Sequence, residues 1–270
     1  MKKHGIAILG CGWLGFPLAK KLVAEGFMVH GSVRSEEKLK RLSSAAVRPF
    51  QIQLTEEKPL GKIASFLSNV KILIIAVPPG LHKTPKESFF LKIKTLLPLI
   101  EKSPVENLLF ISSISVFEAT ENFSEINENT NLTGTSKTAE QLIAIENLLF
   151  KNRHFTSTIL RLGGLFDDHR HPVNHLAGRK GVENPKAPVN LIHRDDVLEI
   201  IGKIIENASW GNSLNAVYPE HPSKKNYYVK IAQIRGLEIP LFDENSISKG
   251  KTVLSEKLQK ELGFRFLHPI

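Results

Sequence analysis

The chain alternates two patterns of apolar residues. Short, nearly continuous apolar runs recur at 5–9 (GIAIL), 27–33 (FMVHGSV), 47–54, 71–77 (KILIIAV), 107–117 (NLLFISSISVF) and 155–162. Between them the apolar positions take helical spacing. Leu14, Leu18 and Leu22 stand four residues apart, and Gly26 stops the pattern. In SEEKLKRL, Ser35 is the expected cap, with Glu36 and Glu37 in the first turn. Residues 86–102, 136–150 and 194–207 also read as helices. A strand with no polar alternation is expected to be covered on both faces. The alternation of strand and helix therefore predicts an α/β fold with a parallel sheet and right-handed crossovers. After residue 162 the pattern breaks into a Gly-, Pro- and His-rich stretch, and the C-terminal third has shorter elements.

Composition narrows this only slightly. A length of 270 residues suits one large domain, or a domain with a small annex. No apolar run approaches the ~18–20 residues of a membrane span, so no membrane partner is expected. The first apolar run is broken at once by glycines, unlike a signal peptide. With Cys11 as the one cysteine there is no internal disulfide, and a cytoplasmic location is expected. The net charge of +9 is unevenly spread: residues 118–146 are acid-rich and 151–194 basic. No basic run is interleaved with aromatics, so a small anionic ligand is the expected partner and nucleic acid is not.

Candidate chemistry is densest at the first turn, Gly10-Cys11-Gly12-Trp13-Leu14-Gly15. Gly10 would allow a tight turn out of the strand. Gly12 would let a pyrophosphate approach the backbone. Gly15 would let the following helix pack closely, its N-terminus facing the phosphates. The G-x-G-x-x-G spacing between a strand and a helix is the context expected of a dinucleotide loop. Strand two should end in an acid if the ligand were NAD. It ends in Ser32, Arg34 and Ser35, with Lys38 a turn later. Arg34 would suit a 2′-phosphate, which favours NADP while leaving NAD open. Cys11 is either a thiol activated by the helix N-terminus or a small residue filling a tight turn, and the second reading is preferred.

The glycine loop, NLLFISSISVF, ILRLGGLF (159–166), NLIHRDDV (190–197) and LGFRFLHP (262–269) occur in order along the chain. Together they resemble the extended short-chain dehydrogenase/reductase superfamily, in its atypical branch similar to NAD-dependent epimerases/dehydratases. That resemblance implies a Rossmann doubly wound parallel sheet over 1–162, with 190–208 returning to it. A small substrate-binding part would span 163–270. It implies a cofactor-contacting loop at AVPPG, including Ala76, Val77 and Pro78. It also implies catalysis by Ser, Tyr and Lys, and possible homodimers through helices such as 86–102 and 136–150. The Ser matches Ser113 and the Lys matches Lys137, which would hold the cofactor ribose. The Tyr position, four residues before Lys137, holds Thr133, and the position after Val116 holds Phe117. The three tyrosines, Tyr218, Tyr227 and Tyr228, all lie in the C-terminal third. Two functions follow: an oxidoreductase or epimerase acting on a carbonyl or sugar-like substrate, or a non-catalytic NADP(H) sensor.

Other candidates have plainer explanations. His169, His171 and His175, with Asp167 and Asp168, have spacing that suits a metal, but a solvated or substrate-facing loop is preferred and no metal is expected. Arg161, Arg170 and Arg179 are either an anion clamp or surface charge. His193 and Asp196 are expected to form a hydrogen-bonded structural corner.

Overall fold

The apolar runs of the first half become neighbouring strands of one sheet. A computed structural model of the chain describes residues 4–79 and 87–270. Gly80 of the AVPPG segment and Lys86, expected to open a helix, lie outside them.

In chain order the elements begin with β1 (Gly5–Leu9), α1 (Gly15–Ala24), β2 (Met28–Val33), α2 (Glu37–Ser43) and β3 (Arg48–Gln53). Next come β4 (Leu60–Gly61), α3 (Ile63–Leu67), β5 (Val70–Ile75), α4 (Phe89–Glu101) and β6 (Asn107–Ser113). Then follow β7 (Glu125–Ile126), α5 (Lys137–Phe150), β8 (Thr156–Leu162), β9 (Gly164–Phe166) and β10 (Leu191–His193). The last are α6 (Arg194–Glu206), β11 (Ser213–Ala216), α7 (Lys224–Ile234), β12 (Thr252–Val253) and α8 (Glu256–Leu262).

The chain divides into two units. The first comprises Met1–Ser113, Ser136–Leu160 and Ile201–Ser213; the second comprises Ile114–Thr135, Arg161–Ile200 and Leu214–Ile270. Residues 114–135, read from sequence with the N-terminal domain, group with the second unit.

In the first unit the strands run in the order β8-β6-β5-β1-β2-β3-β4. The pairs β1–β2, β1–β5, β2–β3 and β5–β6 are parallel. This is the mostly parallel sheet that the alternation predicted, of the Rossmann type that the resemblance implied. Every residue of β1 is buried, which is why its sequence shows no polar alternation. β3 instead buries Phe50 and Ile52 and exposes Gln51 and Gln53, the two-residue period of a strand covered on one face. Leu14, Leu18 and Leu22 are buried as their spacing required. Gly26 follows α1 with φ +86°, in the left-handed region where glycine ends a helix. Strand order reverses between β1 and β5. The turn after β1 and the turn after β5 therefore flank a switch point, where doubly wound sheets bind ligands.

The second unit is built from short elements. β9 pairs with β10, and β12 with β7, both parallel. Phe166, Val173, Val189, Leu191, Tyr227, Tyr228 and Ala232 form a core cluster, with Leu176, Ile231 and Phe242 packed against it. No helix among the described residues is long and apolar enough to cross a membrane.

Candidate functional site

The glycine loop owes its shape to three glycines with three different surroundings. Gly10 has φ +102°, and a Cβ there would come within 2.7 Å of Val77 Cγ1 on the turn after β5. A Cβ on Gly15 would overlap the carbonyl oxygen of Gly10. A Cβ on Gly12 would meet nothing within 4 Å, so the backbone there is open to an approaching group. The turn is pinned to β2: Gly10 N donates to Ser32 Oγ at 2.9 Å, and Cys11 N donates to the Ser32 carbonyl at 2.8 Å. Ser32, a cofactor-binding candidate from the sequence, is 2% exposed and holds the loop itself. α1 starts with Leu14 at its N-cap and has no side-chain cap. Its first-turn N–H groups thus receive no capping side chain, and the helix dipole adds positive charge. An open glycine backbone ahead of an uncapped helix fits the pyrophosphate of a dinucleotide. Ala76 N donates to the Leu9 carbonyl at 2.9 Å, continuing the β1–β5 ladder into the segment Ala76-Val77-Pro78.

Cys11 is buried, with its Sγ 3.7 Å from the Ile8 carbonyl oxygen. Burial pushes its thiol up to about 12, so it fills space as a neutral group. The room it fills is the space a Cβ on Gly31 would need, 2.8 Å from Sγ.

Arg34 is exposed directly after β2, and its carbonyl accepts a 3.1 Å bond from Gln51 Nε2 on β3. Ser35 does not cap α2. Glu36 occupies the N-cap without a side-chain bond, because the turn Ser35 O···Lys38 N, at 3.2 Å, winds up into the helix first.

Ser113 ends β6 and is half-buried. Its neighbour Ser112 is buried and donates to Glu146 Oε1 on α5 at 2.5 Å. Lys137 is exposed as the first residue of α5, capped by Ser136 Oγ, which accepts from Ala139 N. Thr133 lies in the irregular stretch before that cap, within the second unit. The expected placement of Thr133 one helical turn before Lys137 is therefore not met. Its Oγ1 accepts a 3.4 Å bond from Glu118 N. On the other side of this stretch the Lys251 ammonium donates to the Phe117 carbonyl. Burial pushes that ammonium down to about 8. Periodicity gave no sign of Lys251, since it lies among short elements far along the chain.

The His- and Asp-rich segment is structural in its buried members. Asp167 accepts from His169 N at 3.0 Å and Arg170 N at 2.7 Å, and pairs with Arg194 Nη1 at 2.5 Å. Both His171 ring nitrogens are engaged: Val173 N donates to Nδ1 at 3.1 Å, and Nε2 lies 2.8 Å from Tyr227 Oη. His169 and His175 are exposed. Arg161 is buried with its guanidinium 5.2 Å from the Phe117 ring centre, while Arg170 and Arg179 are exposed. Asp196, fully buried, accepts from Leu267 N, His268 N and His268 Nδ1 at 3.1, 3.2 and 2.8 Å. His193 stacks on His268, ring centres 4.3 Å apart. Asp196 and His193 thus both meet His268, and the corner expected of them is closed by Leu267 and His268.

A family profile described as NAD(P)H-binding matches residues 10–208. The protein YeeZ of Escherichia coli (strain K12) is 29% identical over 274 residues, covering 100% of this chain and 97% of YeeZ. A putative NAD-dependent epimerase/dehydratase from Methylobacillus flagellatus superposes with a TM-score of 0.80 at 22% identity, over 99% of this chain and 94% of that one. MoeE5 in complex with UDP-glucose and NAD superposes with a TM-score of 0.80 at 17% identity, over 99% and 95%. The profile takes in the glycine loop, β2 and the Ser113–Lys137 region, so this chain belongs to the NAD(P)H-binding family and has the fold of NAD-dependent epimerase/dehydratase proteins.

Proposed function

We propose that the protein binds NADP(H) in preference to NAD(H) and acts as an oxidoreductase or epimerase on a carbonyl or sugar-like hydroxyl. One observation carries the cofactor preference. The residue that follows β2 is an exposed Arg34, its backbone held by Gln51, where an NAD-selective site would place an acid. A guanidinium there matches a phosphate monoester through paired N–H donors, with Ser35 and Lys38 close in sequence. When bound, the nicotinamide supplies or accepts the hydride. Ser113 is the group that would orient the substrate oxygen, and Lys137 the one that would hold the ribose. Thr133 cannot take the proton-transfer role near neutral pH, because an aliphatic hydroxyl is far too weak an acid. General acid–base help is worth roughly 10²–10⁴-fold, so turnover on simple carbonyls is expected to be slow.

A different observation favours a second reading, a sensor that binds NADP(H) without turning it over. The exposed Thr133 outside α5, with its hydroxyl engaged by Glu118 N, supports it. Pairing of copies through α4 and α5 is consistent with their mutual packing, where Phe89 N and Phe90 N donate to Gln141 Oε1, and with the exposed Leu91 and Leu99. Calorimetry with NADPH and NADH, beside NADPH consumption over a panel of carbonyls, tests both readings. Equal affinities would overturn the NADP preference. Tight binding without turnover on any carbonyl selects the sensor.

A further inference from the structure

The second unit contains a cavity of about 320 Å³, at the small end of the range for ligand pockets. Its apolar wall includes Phe166, Ile231 and Pro269. Its polar groups are Asp168, His171, Tyr227, His193, His268 and Arg235. Tyr227, Ile231 and Arg235 stand at four-residue intervals on α7 and its C-cap, so one helix face supplies the wall.

The direction of the hydrogen bonds decides what this pocket offers. Val173 N–H donates to His171 Nδ1, so the neutral ring carries its proton on Nε2 and donates to Tyr227 Oη. The Tyr227 hydroxyl proton is then left to point elsewhere, and Oη makes no second hydrogen bond among the described residues. Burial raises the pKa of this phenol well above its ordinary value, so it remains a donor. His193 follows the same logic: Asp195 N–H donates to its Nδ1 at 3.3 Å, which puts the proton on Nε2. That atom has no partner among the described residues. Tyr227 is 4% exposed and His193 6%. Arg235 spends Nη1 on the Asp168 carbonyl at 2.9 Å and keeps further N–H donors. Two buried donors and a guanidinium thus share a cavity with the exposed Asp168 and with His268, whose Nδ1 donates to Asp196 and whose Nε2 is left as an acceptor.

A cation is the poorer fit. His193, Asp195 and His268 bring ligating atoms within 4.8 Å of one another. However, the two rings are stacked at an interplanar angle of 18°. Their in-plane lone pairs run side by side and do not converge on a point ~2.0–2.1 Å from both nitrogens, as a metal would require.

We propose that this pocket binds a small organic anion, with its oxyanion on Tyr227 Oη, His193 Nε2 and Arg235 and its apolar body against Phe166, Ile231 and Pro269. The site lies within one unit and does not rest on the dinucleotide reading. The probe is phenylacetate, added to the whole protein without dinucleotide. The readout is the imidazole ¹⁵N resonances of His193 and His171. Saturable shifts at both rings are expected. Arg235 is partly exposed at the end of α7, so Arg235→Gln should fold normally. It should weaken binding about tenfold or more, the scale of one charge-assisted hydrogen bond. Tyr227→Phe should also weaken binding, with thermal unfolding of each variant measured alongside. Acetate should bind more weakly than phenylacetate, and benzylamine should not compete. Absence of saturable shifts, an unchanged affinity in folded Arg235→Gln, or equal binding of benzylamine would overturn the proposal.

Discussion

The hydroxyl of Ser32 on β2 accepts a hydrogen bond from the backbone N–H of Gly10 at 2.9 Å. A side chain one strand away therefore sets where the glycine turn stands. Ser32→Ala would leave that amide without its acceptor. A loss of about 1–3 kcal/mol in stability is expected, together with weaker dinucleotide binding. Denaturant titration and calorimetry on the same variant measure both; unchanged cofactor affinity would mean the loop holds its shape without Ser32.

Gly12 and Gly15 predict opposite outcomes three residues apart. Gly12→Val points into open space, so stability should change by less than about 0.5 kcal/mol. Dinucleotide binding should fall by roughly 100-fold or more, equivalent to about 2.7 kcal/mol. Gly15→Val drives a side chain into the Gly10 carbonyl and should cost about 3 kcal/mol of stability. Thermal unfolding with and without NADPH separates the two. A Gly12→Val protein that binds normally would remove the phosphate-cradle reading.

Arg34→Asp places an acid where NAD-selective strands have one. The variant should lose about tenfold or more in NADPH affinity, the worth of a charge-assisted bond, and bind NADH comparatively better. Because the side chain is exposed, the fold should be untouched. An unchanged cofactor ratio would show that Arg34 does not meet the 2′-phosphate.

His171 ties stability to pH. Burial is the main cause that lowers its pKa from 6.5 to about 4, with the Arg235 charge adding to it. The neutral ring is the folded form, so the stabilisation is complete above pH 6.5 and is lost as pH falls towards 4. The full difference is roughly 3 kcal/mol. His30, His193 and His221 are shifted in the same direction, so the test is the difference between parent and His171→Gln. Denaturant unfolding at a series of pH values should show a shallower fall between 6.5 and 4 in the variant. Parallel curves would exclude His171 as a contributor.

What the sequence made legible was local. The unbroken apolar runs of β1 and β5 announced buried parallel strands, and three glycines between a strand and a helix announced the tight turn after β1. Each of those signals fits within one turn or one strand. The cap of α2 was misplaced because a turn of 3₁₀-like spacing at Ser35–Lys38 precedes the helix, and composition alone does not reveal it. The relay from Val173 through His171 to Tyr227 joins positions 56 residues apart along its second bond. The bond from Asn190 Nδ2 to the Lys251 carbonyl spans 61 residues. Such bonds have no period, so no pattern in the chain points to them. Thr133 was placed by its spacing from Lys137, which presumes a continuous helix; the Ser136 cap shows the helix starting later.

The three bonds collected by Asp196 have a consequence for editing this chain. Its carboxylate is wholly out of water, and among the described residues the hydrogen bonds it accepts come from Leu267 and His268. Removing residues 267–270 looks, on paper, like trimming a half-exposed tail. Electrostatically it amounts to introducing a bare negative charge into the interior at the start of α6. A shortened protein is thus expected to fail from the inside, and Asp196→Asn, which discards the charge in advance, should rescue part of its stability.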